Sequence, residues 1–339
     1  MRDVIIIGAG VVGCAIAREL SKRELDVLVL ERHGDVADGG SSKANTAIVH
    51  AGYDCKPGTL KAKFNVMGNP MFDQLCKDLD VPFIRNTSLI IAFEGDNLQG
   101  LQDLLERGRK NHVPYLHIVD QEGLRKLEPN VGKTAVAALV APTGGIVCPY
   151  ELTIALAENA NMNGVDFQFH AKVTKVYKDE ESWVVELKDG TTLRSRAVVN
   201  AAGLYSDVIN NMVSEKKFEI LPRRGQYYMV DKSYKDTFNA AMFQMPSDKG
   251  KGILVARTVD GSILLGPTAE DIDDREDNRT TQEGLDDILL HASKTWENIP
   301  MRSIITTFSG MRSRPSTGDF IIGEAEDAPL FFNAAGIES

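Results

Sequence analysis

Residues 4–31 read VIIIGAGVVGCAIARELSKRELDVLVLE, and this stretch decides the fold of the chain. A short apolar run, Val4–Ile7, breaks into glycines, continues with apolar residues at helical spacing, and ends in a second apolar run, Val27–Leu30. A switch from strand to helix periodicity across glycines predicts a strand, a turn, a helix and a second strand. Such a βαβ unit indicates a parallel sheet at the start of the chain.

Three glycines at the first turn and one acid at the end of the second strand suit this unit to a dinucleotide. Gly8 permits the tight turn, Gly10 lets the backbone approach a pyrophosphate, and Gly13 lets helix and strand pack closely. The free N–H groups at the helix N-terminus favour a diphosphate there. Glu31 is placed to accept hydrogen bonds from the adenosine ribose, which disfavours the 2′-phosphate of NADP. Both NAD and FAD fit these residues.

A second segment favours FAD. Residues 197–207, AVVNAAGLYSD, have the pattern of a buried strand that ends in small residues and leads into a helix. Small residues at a strand end, here Ala201 and Gly203, let a long cofactor lie against the backbone, although a tight turn would also explain them.

A polar stretch over residues 38–59 is predicted to be a functional loop. It is rich in Gly, Ser, Thr and Asn and is long for a simple connection. Its donors suit a pyrophosphate and the edge of a flavin ring; a polar surface loop is the alternative. These donors are Ser41, Ser42, Lys43, Asn45 and Thr46.

Composition excludes several classes of protein. The 339 residues suggest two domains, and a net charge of -10 argues against a nucleic-acid-binding protein. Four scattered cysteines without a C-x-x-C pair indicate no metal and no disulfide framework, which fits a reducing compartment. There is no secretory signal pattern and no apolar run long enough to span a membrane. We predict a cytoplasmic protein, with peripheral contact at the inner face of the membrane left open.

Farther along, helix patterns occur at 60–79, 97–111, 150–163 and 282–298, and residues 88–93 have the pattern of a strand. Residues 218–270 alternate in the manner of an antiparallel sheet. The fold class is therefore predicted as α/β with an α+β second domain.

Six stretches, taken in order over nearly the whole chain, resemble the D-amino-acid-oxidase-like superfamily of FAD enzymes. They are GAGVVGCAIARELSKRELDVLVLE (8–31), SSKANTAIVHAGYDCKPGTLKAK (41–63), VVNAAGLYSD (198–207), LPRRGQYYMVDK (221–232), TTFSGMRSRPSTGDFIIGE (306–324) and NAAGIES (333–339). Within the superfamily they are most similar to bacterial FAD-dependent glycerol-3-phosphate dehydrogenases, with L-2-hydroxyglutarate oxidases close behind.

The resemblance implies a non-covalently bound FAD and two interleaved domains. The Rossmann-like FAD-binding domain is predicted at 1–80, 145–215 and 305–339, and a substrate domain with a mixed or antiparallel sheet at 81–144 and 216–304. Relatives continue beyond the last glycine turn with a helix directed at the flavin, and some carry a cysteine-rich domain that passes electrons on. Without those parts, we expect FAD to bind weakly.

The same resemblance implies the residues that do the chemistry. Oxidising an alcohol beside an anionic group requires a base for the hydroxyl proton while a hydride passes to flavin N5. His50 matches the histidine that relatives place beside the flavin; a structural histidine and a covalent flavin link are the alternatives. Arg312 matches the arginine that relatives direct at the substrate anion, and a surface salt bridge is its alternative. Weaker candidates for binding the anion are Arg314, Arg257 and Arg224, the last as a second cation.

We add Arg32, Val173, Gly336 and Ile337 to the predicted cofactor contacts. The leading function is FAD-linked oxidation of sn-glycerol 3-phosphate to dihydroxyacetone phosphate, with electrons passing to a quinone or a partner subunit. L-2-hydroxyglutarate dehydrogenation is the first alternative. A sarcosine-type amine oxidase and a non-catalytic flavoprotein subunit are the others.

Overall fold

The amino-terminal βαβ unit forms in the computed structural model as the glycine pattern predicts. Strand β1 (Arg2–Ile7), helix α1 (Val11–Leu20) and strand β2 (Val27–Leu30) follow one another, and the two strands pair in parallel. All four residues of β2 are buried. Burial on both faces is typical of a strand inside a parallel sheet that is covered by helices.

The structure describes residues 1–246 and 252–338. In these ranges the further strands are β3 (Ile48–Val49), β4 (Phe83–Ile84), β5 (Ser88–Phe93), β6 (His117–Asp120), β7 (Ala135–Ala141), β8 (Gly145–Val147), β9 (Asp166–Gln168), β10 (Val173–Asp179), β11 (Ser182–Leu187), β12 (Thr192–Asn200), β13 (Ile220–Val230), β14 (Ala241–Gln244), β15 (Leu254–Arg257), β16 (Ile263–Gly266), β17 (Glu270–Asp271), β18 (Ile304–Pro315), β19 (Ile321–Ala325) and β20 (Ala328–Ala335). The further helices are α2 (Gly40–Lys43), α3 (Leu60–Gly68), α4 (Met71–Asp78), α5 (Gln99–Lys110), α6 (Gln121–Leu127), α7 (Pro149–Met162), α8 (Ser206–Val213) and α9 (Gln282–Thr295). Residues 247–251, inside the predicted antiparallel stretch, and Ser339, inside the predicted FAD-binding domain, lie outside the described residues.

The first sheet is built around β1. Its strands run in the order β10, β11, β12, β1, β2 and β9, with β20 beside β12 and β19 beside β20. The pairs of β1 with β12, of β1 with β2 and of β12 with β20 are parallel, so these strands end at one edge of the sheet. In an open parallel sheet this edge is where ligands bind.

The second sheet is largely antiparallel. Its order is β17, β13, β16, β15, β14, β5, β7 and β6, with β18 paired along β13, and one pair, β14 with β5, is parallel. One face packs on α9 and the opposite face on α5. A first sheet with parallel central strands and a largely antiparallel second sheet confirm the predicted fold class.

Two local predictions differ from the structure. Residues 38–59 are not wholly irregular, since they contain α2 and the short strand β3. Residues 60–79 form two helices instead of one, with the break at Asn69 and Pro70. Pro70 has no N–H group to continue the main-chain hydrogen-bond ladder, so α3 ends at Gly68 although Asn69 keeps helical dihedral angles.

The chain moves between the two sheets. Strand β18 pairs with β13 in the second sheet from Ile304 to Pro315, and the first sheet resumes with β19. The predicted return to the FAD-binding domain at residue 305 therefore falls inside a strand of the second sheet. The division into two interleaved domains stays a prediction.

Glu128, next to the end of α6, is a buried carboxylate. Its Oε1 accepts the main-chain N–H groups of Asn239, at 2.8 Å, and Ala240, whereas Oε2 has no partner among the described residues. Burial raises the pKa of Glu128 from 4.5 to about 7, although the two N–H groups oppose the shift. The folded protein therefore binds this proton more tightly than the unfolded chain, and it loses stability as the pH rises from about 4.5 to about 7.

We expect Glu128→Gln to remove this pH dependence. The free energy of unfolding of Glu128→Gln, taken relative to that of wild type, should be higher at pH 8 than at pH 5 by on the order of 2 kcal/mol. Urea unfolding at both pH values measures the difference. Any change in stability that the amide causes independently of pH cancels when the two pH values are compared. Identical pH dependence in the two proteins would show that Glu128 does not titrate in this range.

Candidate active site

A cavity of about 510 Å³ lies at the carboxyl edge of the first sheet and reaches the second sheet. Gly8, Glu31 and Ala201 line it from the ends of β1, β2 and β12. Tyr227 and Arg312 line it from β13 and β18. The predicted dinucleotide site, here called the cradle, comprises Gly8, Gly10 and Glu31. The cavity thus joins the cradle to residues of the second sheet.

Close packing at the first turn explains two of the three glycines. Gly8 has a φ of +108°, and a Cβ there would lie 2.5 Å from the carbonyl oxygen of Ala201. A Cβ on Gly13 would lie 2.0 Å from the carbonyl oxygen of Gly8. Gly13 does not line the cavity, which agrees with a packing role. Gly10 is the N-cap of α1, and as a glycine it has no side chain that could cap the helix.

Main-chain N–H groups hold the carboxylate of Glu31 in place. Its Oε2 accepts from Ala9 at 2.9 Å and its Oε1 from His33 at 3.0 Å. A carboxylate has about four acceptor positions, so two remain for ribose hydroxyls. Arg32 also lines the cavity, but its guanidinium pairs with Glu276 at 2.8 Å and stacks on Tyr205, 4.2 Å from the ring centre.

The polar loop folds against the N-terminus of α1. The Ser42 hydroxyl accepts the N–H of Val11 at 2.9 Å, so this side chain lies where a pyrophosphate is predicted. The Ser41 hydroxyl donates to the carbonyl of Met311 at 2.5 Å, which ties the loop to β18. Asn45 donates to the carbonyl of Ser41 at 2.9 Å and thereby shapes the loop itself.

His50 lies directly after β3 and lines the cavity. Its ring centre is 6.1 Å from that of Phe243 in the second sheet. Its main-chain carbonyl accepts the side-chain N–H of Asn69 at 2.9 Å. The imidazole thus stands where the first segment of the chain meets the second sheet.

Arg312 and Tyr227 form a polar pair on the cavity wall. Arg312 donates to the carbonyl of Thr268 at 3.4 Å. The ring of Tyr227 stacks on that of Phe308 with 4.7 Å between centres. Burial raises the pKa of the Tyr227 hydroxyl, although Arg312 opposes the shift. Tyr227 therefore stays protonated at neutral pH and can donate a hydrogen bond.

The weaker arginine candidates have other partners. Arg224 is buried and pairs with Glu270 at 2.8 Å and Asp277 at 3.0 Å. Arg314 pairs with Asp271 at 3.1 Å. Neither of them lines the cavity, and nor does Arg257. The structure therefore does not place Arg224 where a second substrate cation would act.

The cavity brings together the residues of the predicted site, apart from Gly13, Lys43 and the three weaker arginine candidates. These residues are His50, Arg312, Gly8, Gly10, Glu31, Arg32, Ser41, Ser42, Asn45, Thr46, Val173, Ala201, Gly203, Gly336 and Ile337. Their individual roles stay predictions. Tyr227 was missed, because GQYYMVD shows an alternating strand without showing which of its two tyrosines faces the cavity.

Cys14, Cys76 and Cys148 form no disulfide. The described residues hold no group of three or more His, Cys, Asp or Glu side chains arranged for a metal ion. Among the helices within 1–246 and 252–338, none has the length and apolar character needed to cross a membrane.

The open first turn of α1, the fixed acid at Glu31 and the small residues at the end of β12 fit an adenine dinucleotide. Comparison with known proteins agrees. Residues 3–339 match the family model described as "FAD dependent oxidoreductase". A glycerol 3-phosphate dehydrogenase from Caloramator mitchellensis is 50% identical over 340 residues, which cover all of this chain and 70% of that protein.

Two further proteins are informative. A mitochondrial L-2-hydroxyglutarate dehydrogenase from Nematostella vectensis is 30% identical over 79% of this chain and 62% of its own length. The solved structure of L-alpha-glycerophosphate oxidase from Mycoplasma pneumoniae, with FAD bound, superposes with a TM-score of 0.93 at 31% identity, covering 100% of this chain and 90% of that one. These matches confirm the resemblance and the FAD cofactor. The chain belongs to the family of FAD-dependent oxidoreductases.

Proposed function

We propose that this chain oxidises sn-glycerol 3-phosphate to dihydroxyacetone phosphate. The observation that carries the proposal is the composition of the cavity wall. A histidine, a fixed arginine and a protonated tyrosine line the same cavity as the dinucleotide cradle. The 50% identity to a glycerol 3-phosphate dehydrogenase supports the choice of substrate.

Three side chains divide the work on the substrate. The planar guanidinium of Arg312 binds the phosphate through two parallel hydrogen bonds. The hydroxyl of Tyr227 offers a further donor to the same group. His50 accepts the proton of the substrate hydroxyl as that carbon is oxidised.

The first sheet holds the cofactor. The first turn of α1 and Ser42 receive the pyrophosphate, and Glu31 receives the adenosine ribose. FAD, when bound, supplies the acceptor for the hydride that leaves the substrate carbon. Tyr227, which lines the cavity, is held in place by the stacking of its ring on that of Phe308.

Replacing Arg312 by alanine should raise KM for glycerol 3-phosphate by about 100-fold, because two charge-assisted hydrogen bonds are lost. Steady-state kinetics with an artificial electron acceptor measures the change. Arg314→Ala is the matched control, since Arg314 lies on the same strand but pairs with Asp271 away from the cavity. Equal changes in the two variants, or an unchanged KM in Arg312→Ala, would remove Arg312 from the phosphate site.

L-2-hydroxyglutarate is the second candidate substrate. The 30% identity to an L-2-hydroxyglutarate dehydrogenase favours it, and Arg312 can grip a carboxylate equally well. This substrate carries two carboxylates, whereas Arg312 alone lines the cavity among the four arginines predicted for the substrate anion. We therefore expect kcat/KM to be higher for glycerol 3-phosphate. The reverse order would favour L-2-hydroxyglutarate as the substrate.

We also propose an electron acceptor and a cellular location for the protein. Electrons leave to a quinone or a partner subunit, and the protein works in the cytoplasm with peripheral contact at the inner face of the membrane. The four cysteines are scattered without a C-x-x-C pair, and this supports a reducing compartment. Fractionation of the native cells, with and without a salt wash of the membranes, tests this location.

A further inference from the structure

A hydrogen-bond cluster, here called the Asn69 clamp, holds the main chain of His50. Asn69 lies at the junction of α3 and α4 and is 6% exposed. Its Nδ2 donates to the carbonyl oxygens of His50 and Thr143, both at 2.9 Å. Both N–H bonds of the amide are thus used on main-chain carbonyls, one of which belongs to the predicted base.

Arg85 fixes the orientation of the clamp. The guanidinium donates to Oδ1 of Asn69 at 2.9 Å and to its main-chain oxygen at 2.7 Å, and also to the carbonyl of Thr143. It is itself held by Asp73 at 2.5 Å and lies 4.8 Å from the centre of the Phe83 ring. Arginine only donates and a carbonyl only accepts, so the Asn69 amide has one orientation that satisfies every partner.

The clamp joins the ends of three short strands. His50 follows β3, Thr143 precedes β8, and Arg85 follows β4. These strands form a separate sheet in the order β3, β8, β4, with two or three residues each. So few ladder hydrogen bonds give little rigidity of their own. The side-chain clamp therefore supplies much of the order at the end where His50 begins.

We infer that Asn69 is a positioning residue for His50. It fixes the main chain from which the imidazole reaches into the cavity, and Arg85 fixes Asn69 in turn. The inference rests on the proposed role of His50 as the base. A base must stand within hydrogen-bond reach of its proton, and a shift of about 1 Å can cost on the order of 100-fold in rate.

Asn69→Asp tests the inference with almost no change in shape. The carboxylate keeps the acceptor for Arg85 but presents an oxygen, in place of an N–H donor, to the two carbonyls. We expect kcat to fall by about 10- to 100-fold, with KM changed by less than about threefold and normal FAD content.

A second readout does not depend on turnover. The imidazole of His50 can be titrated by NMR in the FAD-loaded protein, with its signal assigned by its absence from His50→Gln. We expect a changed titration midpoint in Asn69→Asp, since the main chain of His50 moves beside a new carboxylate. Should Asn69→Asp fold poorly, Arg85→Lys provides a milder variant that keeps the charge but loses the planar fork, and it should lower kcat with little change in KM.

Asn111→Asp is the matched control. Asn111 is 8% exposed, and its Nδ2 likewise donates to two carbonyls of the same region, those of Gly52 at 3.0 Å and Cys55 at 2.8 Å. We expect both Asn111→Asp and Asn69→Asp to lower the melting temperature. Asn111→Asp should nevertheless leave kcat and the His50 titration near wild type.

The outcomes separate the possibilities. A wild-type kcat and titration in Asn69→Asp would overturn the inference, as would losses that match those of Asn111→Asp. If the wild-type protein fails to oxidise glycerol 3-phosphate, the proposed function fails. The His50 titration still tests the clamp in that case.

Discussion

Replacing His50 by glutamine is expected to lower kcat for glycerol 3-phosphate by about 10²- to 10⁴-fold. Glutamine is similar in size and can hydrogen-bond to the substrate, but it cannot accept the hydroxyl proton. FAD content should match wild type, because the cradle at Gly8, Gly10 and Glu31 is untouched. Stopped-flow reduction and steady-state kinetics measure the loss.

His117→Gln is the control for this variant. His117 is exposed, bonds to the carbonyl of Tyr115 at 2.9 Å, and does not line the cavity. It should react within about threefold of wild type. If His50→Gln keeps the wild-type rate, His50 is a structural residue and the base must be sought elsewhere.

Replacing Gly10 by valine is expected to abolish FAD binding, with an increase of at least about 100-fold in Kd. Gly10 has a φ of -75°, which valine can adopt, so the chain should still fold. A Cβ there would lie 3.2 Å from the Ser42 hydroxyl that caps the N–H of Val11. The two methyl groups of the valine would occupy the space through which the pyrophosphate approaches the backbone.

Flavin absorbance of the purified protein and a fluorescence titration with FAD measure the effect of Gly10→Val. Gly68→Val is the control, because Gly68 ends α3 and an added Cβ there has no neighbour within 4 Å. It should retain FAD. Normal flavin content in Gly10→Val would mean that the pyrophosphate does not lie at the first turn of α1.

Much of the first sheet and of the cradle could be predicted, because their signals are local. The glycines, the apolar runs and Glu31 lie within residues 4–31, and the structure joins them in one unit. The second segment, ending at Ala201 and Gly203, is also local, and it lines the same cavity. The placement of His50 and Arg312 depended on the resemblance, since neither stands in a pattern that is informative by itself.

The features that could not be predicted depend on distant partners. Arg224 is held by Glu270 and Asp277, which no spacing rule connects to it. The clamp on His50 joins Asn69 to Arg85 and Thr143 through the tertiary fold. Strand alternation separates the two faces of a sheet without showing which face meets a cavity, and this is why Tyr227 was missed.

The most direct test of the proposed function is anaerobic mixing of the FAD-loaded protein with glycerol 3-phosphate while flavin absorbance is followed. We expect loss of the oxidised-flavin band and one dihydroxyacetone phosphate formed per FAD. Bleaching by L-2-hydroxyglutarate or sarcosine alone would assign the site to that substrate instead. An unchanged spectrum at millimolar glycerol 3-phosphate, in a protein that retains its FAD, would contradict the proposed function.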